Sequence, residues 1–180
     1  MIIDIVKTAK EIKVNLPDLI TRPVGRVMYA ATVKKLVIIT ISETVILNFN
    51  GIKVLDSSFI DEYLVKLIID SRINNFYVKL KNISTISEIN IDSVFNSYSN
   101  YNKSRIAVAK EEIGSNSRFY IGSITEQERD IINYLRTNSG ANVDDISRFI
   151  GIEVTELKLT LEQLSFLRLV KRYNGEFTTV

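Results

Sequence analysis

Apolar and polar positions along the 180-residue chain fall into several distinct rhythms. T-V-I-L-N-F at 44–49 is apolar on both faces, which predicts a strand covered on two sides. After it, Phe59, Ile60, Tyr63, Leu64, Leu67 and Ile68 recur at i, i+1, i+4, i+5, i+8 and i+9, the spacing of one helical face. F-Y-V-K-L at 76–80 predicts the next strand, and Ile91, Val94, Phe95 and Tyr98 predict the next helix. Upstream, M-I-I-D-I-V-K at 1–7 reads as a strand and I-K-V-N-L at 12–16 as a candidate second. Thr21-Arg22-Pro23 opens a helix, because Pro suits a first turn, and V-G-R-V-M-Y-A-A-T-V-K-K-L at 24–36 continues it. The β–α–β–α order with short connections predicts an α/β sheet covered by helices.

Residues 99–123 change character, with R-I-A-V-A-K and R-F-Y-I-G-S as strand-like pieces around Gly114-Ser115-Asn116-Ser117. They fit a hairpin or a connector, and they place a domain boundary at about residue 122. The remainder, 123–180, opens on a helix-start signal. Thr125-Glu126-Gln127-Glu128 has the T-x-x-E form of a capping box, with Ile124 ahead as a staple. Three helices follow at 125–137, 143–150 and 154–167, then two strands around Asn174-Gly175, an Asn-Gly hairpin signal.

Composition removes many chemistries. Cysteine and histidine are both absent, so there is no disulfide, no Cys/His zinc site and no Cys or His nucleophile–base pair. No glycine-rich phosphate cradle or EF-hand spacing of acids occurs. A non-enzymatic protein without cofactor or metal is expected. Even the V-I-I-T-I run at 37–41 is far short of a membrane span, and the N-terminus lacks a signal-peptide pattern. A cytoplasmic protein with no membrane partner is expected. The net charge of +2 conceals an asymmetry: residues 125–180 hold seven Lys/Arg against nine Asp/Glu, a net of −2.

Asp56-Ser57-Ser58 sits at a strand-to-helix junction, and two readings stay open there. Ser57 or Ser58 caps the helix, with Asp61 completing an S-x-x-D box, or a serine is a docking or phospho-acceptor site. A phosphate would be favoured at the helix N-terminus but opposed by Asp56, Asp61 and Glu62. Lesser features have plain readings beside sharper ones. Tyr98 and Tyr101 read as a helix end plus a loop, a stacking surface for nucleic acid being the alternative. Gly25 either permits close packing or marks a helix break, and Lys34-Lys35 reads as a solvated face.

The stretch V-I-L-N-F-N-G-I-K-V-L-D-S-S-F-I-D-E-Y-L resembles STAS domains, the fold of bacterial anti-sigma-factor antagonists. It is closer still to the STAS-like family found beside ATP-binding, kinase-like proteins. The resemblance covers roughly residues 20–100. It implies a protein partner, such as a kinase-like ATPase, and Ser58 ahead of Ser57 as phospho-acceptor or docking residue beside Asp56. The small Gly-Leu-Gly that usually follows the serine is replaced by Phe59-Ile60-Asp61. D-I-S-R-F-I-G-I-E-V-T-E-L-K-L-T-L-E-Q-L-S-F-L-R-L-V-K-R resembles winged helix-turn-helix domains of transcription regulators. Its core positions match through Ile146, Ile150, Leu157, Leu161, Leu164, Leu169 and Val170.

That second resemblance implies double-stranded DNA as partner and a homodimer, with Thr155, Lys158, Arg168, Lys171 and Arg172 at the DNA. Glu153, Glu156 and Glu162 depart from the family's usual polar or basic residues. The combined expectation is a DNA-binding transcription regulator whose STAS-like module docks a partner or senses a signal. Its alternative is an interaction adaptor whose winged helix contacts protein, a use that exposed Leu159 would suit.

Overall fold

The computed structural model describes residues 1–111 and 118–180. They form two compact units, Met1–Ser123 and Ile124–Val180. The Gly114–Ser117 turn lies outside the described residues.

The first unit is an α/β layer built on β1 (Ile2–Asp4), β3 (Thr44–Asn48), β5 (Tyr77–Lys81), β6 (Ala107–Lys110) and β7 (Tyr120–Gly122), in that spatial order. The first four run parallel, and β7 is antiparallel to β6 at one edge. Register sorts the two faces, since side chains alternate along a strand. Ile3, Leu47 and Leu80 form one cross-strand row and all belong to the buried core. Ile2, Ile46, Lys79, Ala109 and Tyr120 form the neighbouring row on the opposite face.

The helices are α1 (Ile5–Glu11), α2 (Arg22–Leu36), α3 (Ser57–Ile60), α4 (Lys66–Ile73) and α5 (Thr85–Asn102), with a π-helical turn at Asp61–Val65 joining α3 to α4. Two-residue strands β2 (Asp18–Leu19) and β4 (Val54–Leu55) pair parallel beside them. The core unites the sheet with Met28 of α2, Phe59 and Tyr63 around the π turn, Leu67 of α4, and Ile91 and Phe95 of α5. Among the described residues no helix is long and apolar enough to cross a membrane.

Several expectations need correction. The opening strand is only three residues long, because Asp4 caps α1 by accepting from the Lys7 N–H at 2.8 Å. I-K-V-N-L is not a strand: Lys13 and Val14 N–H groups close the end of α1 on Lys10 and Ala9 carbonyls at 3.1 and 2.9 Å, with Lys13 left-handed. Tyr101 lies within α5 rather than in a loop. Gly25 marks no break: a Cβ there would stand 2.8 Å from Glu62 Cβ and 3.1 Å from the Phe59 carbonyl oxygen. Its absence lets α2 approach the π turn.

The second unit contains α6 (Glu126–Thr137), α7 (Val143–Ile150), α8 (Val154–Phe166) and the antiparallel pair β8 (Val170–Tyr173) and β9 (Glu176–Thr179). The Thr125–Glu128 capping box is formed in both directions, at 3.2 and 2.7 Å. Gly151 ends α7 in the left-handed conformation with φ 76°, a cap that costs glycine little. Ile146, Leu157, Leu161, Leu164, Leu169 and Val170 are buried, and Ile150 is half-buried.

Candidate functional site

The strand-to-helix junction at Asp56 is fixed from three directions. Asp56 is the N-cap: its Oδ1 accepts the Phe59 N–H at 2.7 Å. The expectation that Ser57 or Ser58 caps this helix is therefore overturned, and both hydroxyls are released from that role. The same carboxylate accepts the Thr21 N–H at 3.2 Å on both oxygens, tying the start of α2 to the start of α3. Thr21 has φ 76° and ψ 149°, a region a β-branched residue rarely enters, so the tie holds a strained residue. From the third side, α5 satisfies both backbone groups of Leu55. The Leu55 N–H donates to Ser87 Oγ at 3.0 Å, and its carbonyl accepts from Asn90 Nδ2 at 2.8 Å.

Between these walls lies a cleft of about 500 Å³. Ser57, Ser58, Arg22 and Asp61 line one side; Ser93, Ser97, Tyr98 and Tyr101 of α5 line the other. Ser57 is exposed and Ser58 half-buried. The structure thus places Ser57 and Ser58 in the cleft wall, with Asp56 behind them as the helix cap, and adds α5 residues that stand far from them in sequence.

Electrostatics at the junction differ from the expected cluster of repelling acids. Arg22 pairs with Asp61 at 2.6 Å and with Glu62 at 3.1 Å. Glu62 is buried, yet it also meets Arg26 at 3.2 Å and Lys66 at 2.5 Å. Hydrogen bonds from Arg26, then Lys66, hold its carboxyl at about 2, against the opposing effect of burial. Asp61 foremost, and Glu62 with it, raises the Arg22 pKa above its ordinary value. Three cations therefore pair with Asp61 and Glu62, while Asp56 is met by backbone N–H groups alone. The spacing Arg22–Arg26 and Glu62–Lys66, both i, i+4, is the sequence signal for this cluster, although nothing local shows that the two helices cross there. Among the described residues no group of acidic side chains is arranged to hold a metal.

The second unit presents its own surface. Thr155 and Lys158 are exposed on the first turns of α8, whose N-cap Glu153 makes no side-chain cap bond. Glu156 is held by Gln127 Nε2 at 2.8 Å. Arg168 is half-buried in the turn between α8 and β8, with φ 59°. Lys171 and Arg172 lie side by side on β8, so their side chains leave opposite faces of the hairpin. Arg172 sits 5.7 Å from the Phe177 ring centroid. Leu159 and Phe166, seven residues apart on α8, are 59% and 53% exposed.

Compared with known proteins, the chain matches no family model and no curated protein sequence.

Proposed function

We propose that this protein is a regulator of two modules: a STAS-like unit that docks a protein partner at the Ser57–Ser58 cleft, and a winged helix-turn-helix that binds duplex DNA. One observation carries the DNA half. Helices α6, α7 and α8 are followed directly by a hairpin, with Thr155 and Lys158 exposed on α8 and Lys171 and Arg172 on β8. A helix placed in the major groove with a basic wing on the backbone is the docking geometry such an arrangement offers. The partner half rests on Ser57 and Ser58 being free of capping duty and facing a cleft in whose wall Arg22 pairs with Asp61. A kinase-like ATPase fits as partner, because Ser57 is exposed and Ser58 half-buried at a helix start, where an added phosphate meets the helix N-terminus. A homodimer fits as well, since two weakly cationic modules gain affinity when linked.

The test is a duplex titration with the full chain at low salt, where phosphate contacts are strongest. Binding that falls steeply with salt supports the reading; no binding at low salt sinks it. A second reading, an adaptor whose α8 contacts protein, is favoured by exposed Leu159 and Phe166 and by the net −2 of residues 125–180. Co-purification of a stoichiometric protein in place of DNA would select it.

A further inference from the structure

The two ends of the first unit differ in chemistry. Where the parallel strands begin, α2 stops at Leu36 and residues 37–43 lead into β3. Ile39 turns inward onto the core, while Val37, Ile38 and Ile41 are 81%, 80% and 78% exposed. The turn after α4 lies alongside, joined by the Ser42 N–H to the Asn75 carbonyl at 2.7 Å, and the last residue of α4, Ile73, is 74% exposed. Single exposed aliphatics are ordinary, but four standing in water on adjoining turns form a patch.

Charge is segregated along with them. Lys10, Lys13 and Lys34 occupy this end, and none makes an ion pair among the described residues. Its acids are engaged: Glu11 by Lys35 at 2.6 Å, Glu43 by the Met1 amino group at 2.8 Å, and Asp70 by the Tyr29 hydroxyl. Asp4, Asp18 and Asp56 lie toward the opposite end, where the parallel strands finish, as do Asp61 and Glu62 in their ion pairs with Arg22, Arg26 and Lys66.

We propose that this end docks on an anionic lipid surface, with Val37, Ile38 and Ile41 among the headgroups and the lysines against phosphates. The alternatives fit less well. Val37, Ile38, Ile41 and Ile73 are all aliphatic, whereas protein hot spots are dominated by aromatic and arginine anchors. Duplex DNA would set charged phosphates against four aliphatic side chains. A second copy using the same face would oppose its own lysines. Peripheral docking needs no spanning helix, so it revises only the expectation of no membrane partner.

Co-sedimentation of the full chain with phosphatidylcholine vesicles, with and without phosphatidylglycerol, tests this. Binding should require phosphatidylglycerol and weaken as salt rises. An Ile38→Asp/Ile41→Asp variant should lose about tenfold or more in partitioning, and Lys10→Glu/Lys34→Glu several-fold. Thermal melts matching wild type show that the variants fold, as expected for exposed positions. Absence of binding to the anionic vesicles overturns the proposal. Undiminished binding by the Ile38→Asp/Ile41→Asp variant does so too, as does an equal loss in Leu159→Asp, which lies in the other unit.

Discussion

Asp56 accepts the backbone N–H of Thr21 across 35 residues of sequence, with both carboxylate oxygens at 3.2 Å. Because the same side chain caps the helix at Phe59, one carboxylate sets the geometry of both segments that frame the serine cleft.

Asp56→Ala should therefore cost about 1–2 kcal/mol, the upper range of a lost N-cap, because it strands the Thr21 N–H as well. Ser57→Ala and Ser58→Ala should each stay within about 0.5 kcal/mol of wild type. Urea denaturation of the three variants checks the ranking. A Ser58→Ala loss as large as that of Asp56→Ala would return the cap to the serine.

The Glu62 carboxyl titrates at about 2 in the folded protein, against an ordinary value of 4.5. A depressed carboxylate contributes stability that is fully present above its unfolded pKa and is lost as pH falls through the folded one. Wild type should shed this contribution between about pH 4.5 and pH 2, while Glu62→Gln has none to shed. At neutral pH the variant should be the less stable, with Arg22, Arg26 and Lys66 left facing one another. Denaturation across a pH series should show the gap closing on the acid side. A gap independent of pH would mean the carboxylate charge is not what Glu62 contributes.

Gly25→Ala should destabilise despite the better helix propensity of alanine. The added methyl meets Glu62 Cβ at 2.8 Å, and the Phe59 carbonyl oxygen and Cα at 3.1 and 3.3 Å, of which the last two are backbone. Overpacking of this kind costs about 1–3 kcal/mol, while alanine returns about 1 kcal/mol. Gly25→Val should be worse. A Gly25→Ala protein more stable than wild type would show that α2 can slide away from the π turn.

Much of the fold is legible in local pattern, and the rest depends on distant partners. The strands at 44–48 and 77–81, the capping box and the Asn174-Gly175 hairpin all follow from residues adjacent in sequence. The Asp56 cap does not: D-S-S offers three candidate caps, and the choice falls to the one that also binds Thr21. The π turn leaves a subtler trace in the spacing. Apolar pairs at 59/60, 63/64 and 67/68 repeat every four residues, whereas an α-helix of about 3.6 residues per turn drifts about 40° at each repeat. A wider turn at Asp61–Val65 absorbs that drift and keeps Phe59, Tyr63 and Leu67 all buried. The cleft wall from Ser93, Ser97, Tyr98 and Tyr101 is hidden for the same reason as the cap, since only the packing of α5 beside β4 brings it there.

For the second unit, Lys171→Glu/Arg172→Glu should weaken duplex binding about tenfold or more and reduce the salt slope by roughly 1 for each phosphate no longer neutralised. Leu159→Ser should leave duplex binding within a factor of about 3, as a base-independent apolar position would. Anisotropy titrations at several salt concentrations separate the two. Undiminished duplex binding by Lys171→Glu/Arg172→Glu would remove the hairpin from the DNA contact.

The five-stranded sheet also governs how the protein behaves when crowded. Both of its outer strands, β1 and β7, are three residues long, and Asp4 closes β1 with a charge and a helix start. An incoming strand from a neighbour would find too few free backbone groups to template on before the chain turns away. The sheet is thus guarded against edge-to-edge growth into fibrils, and aggregation at high concentration should stay amorphous and salt-sensitive, without the thioflavin signal of stacked strands.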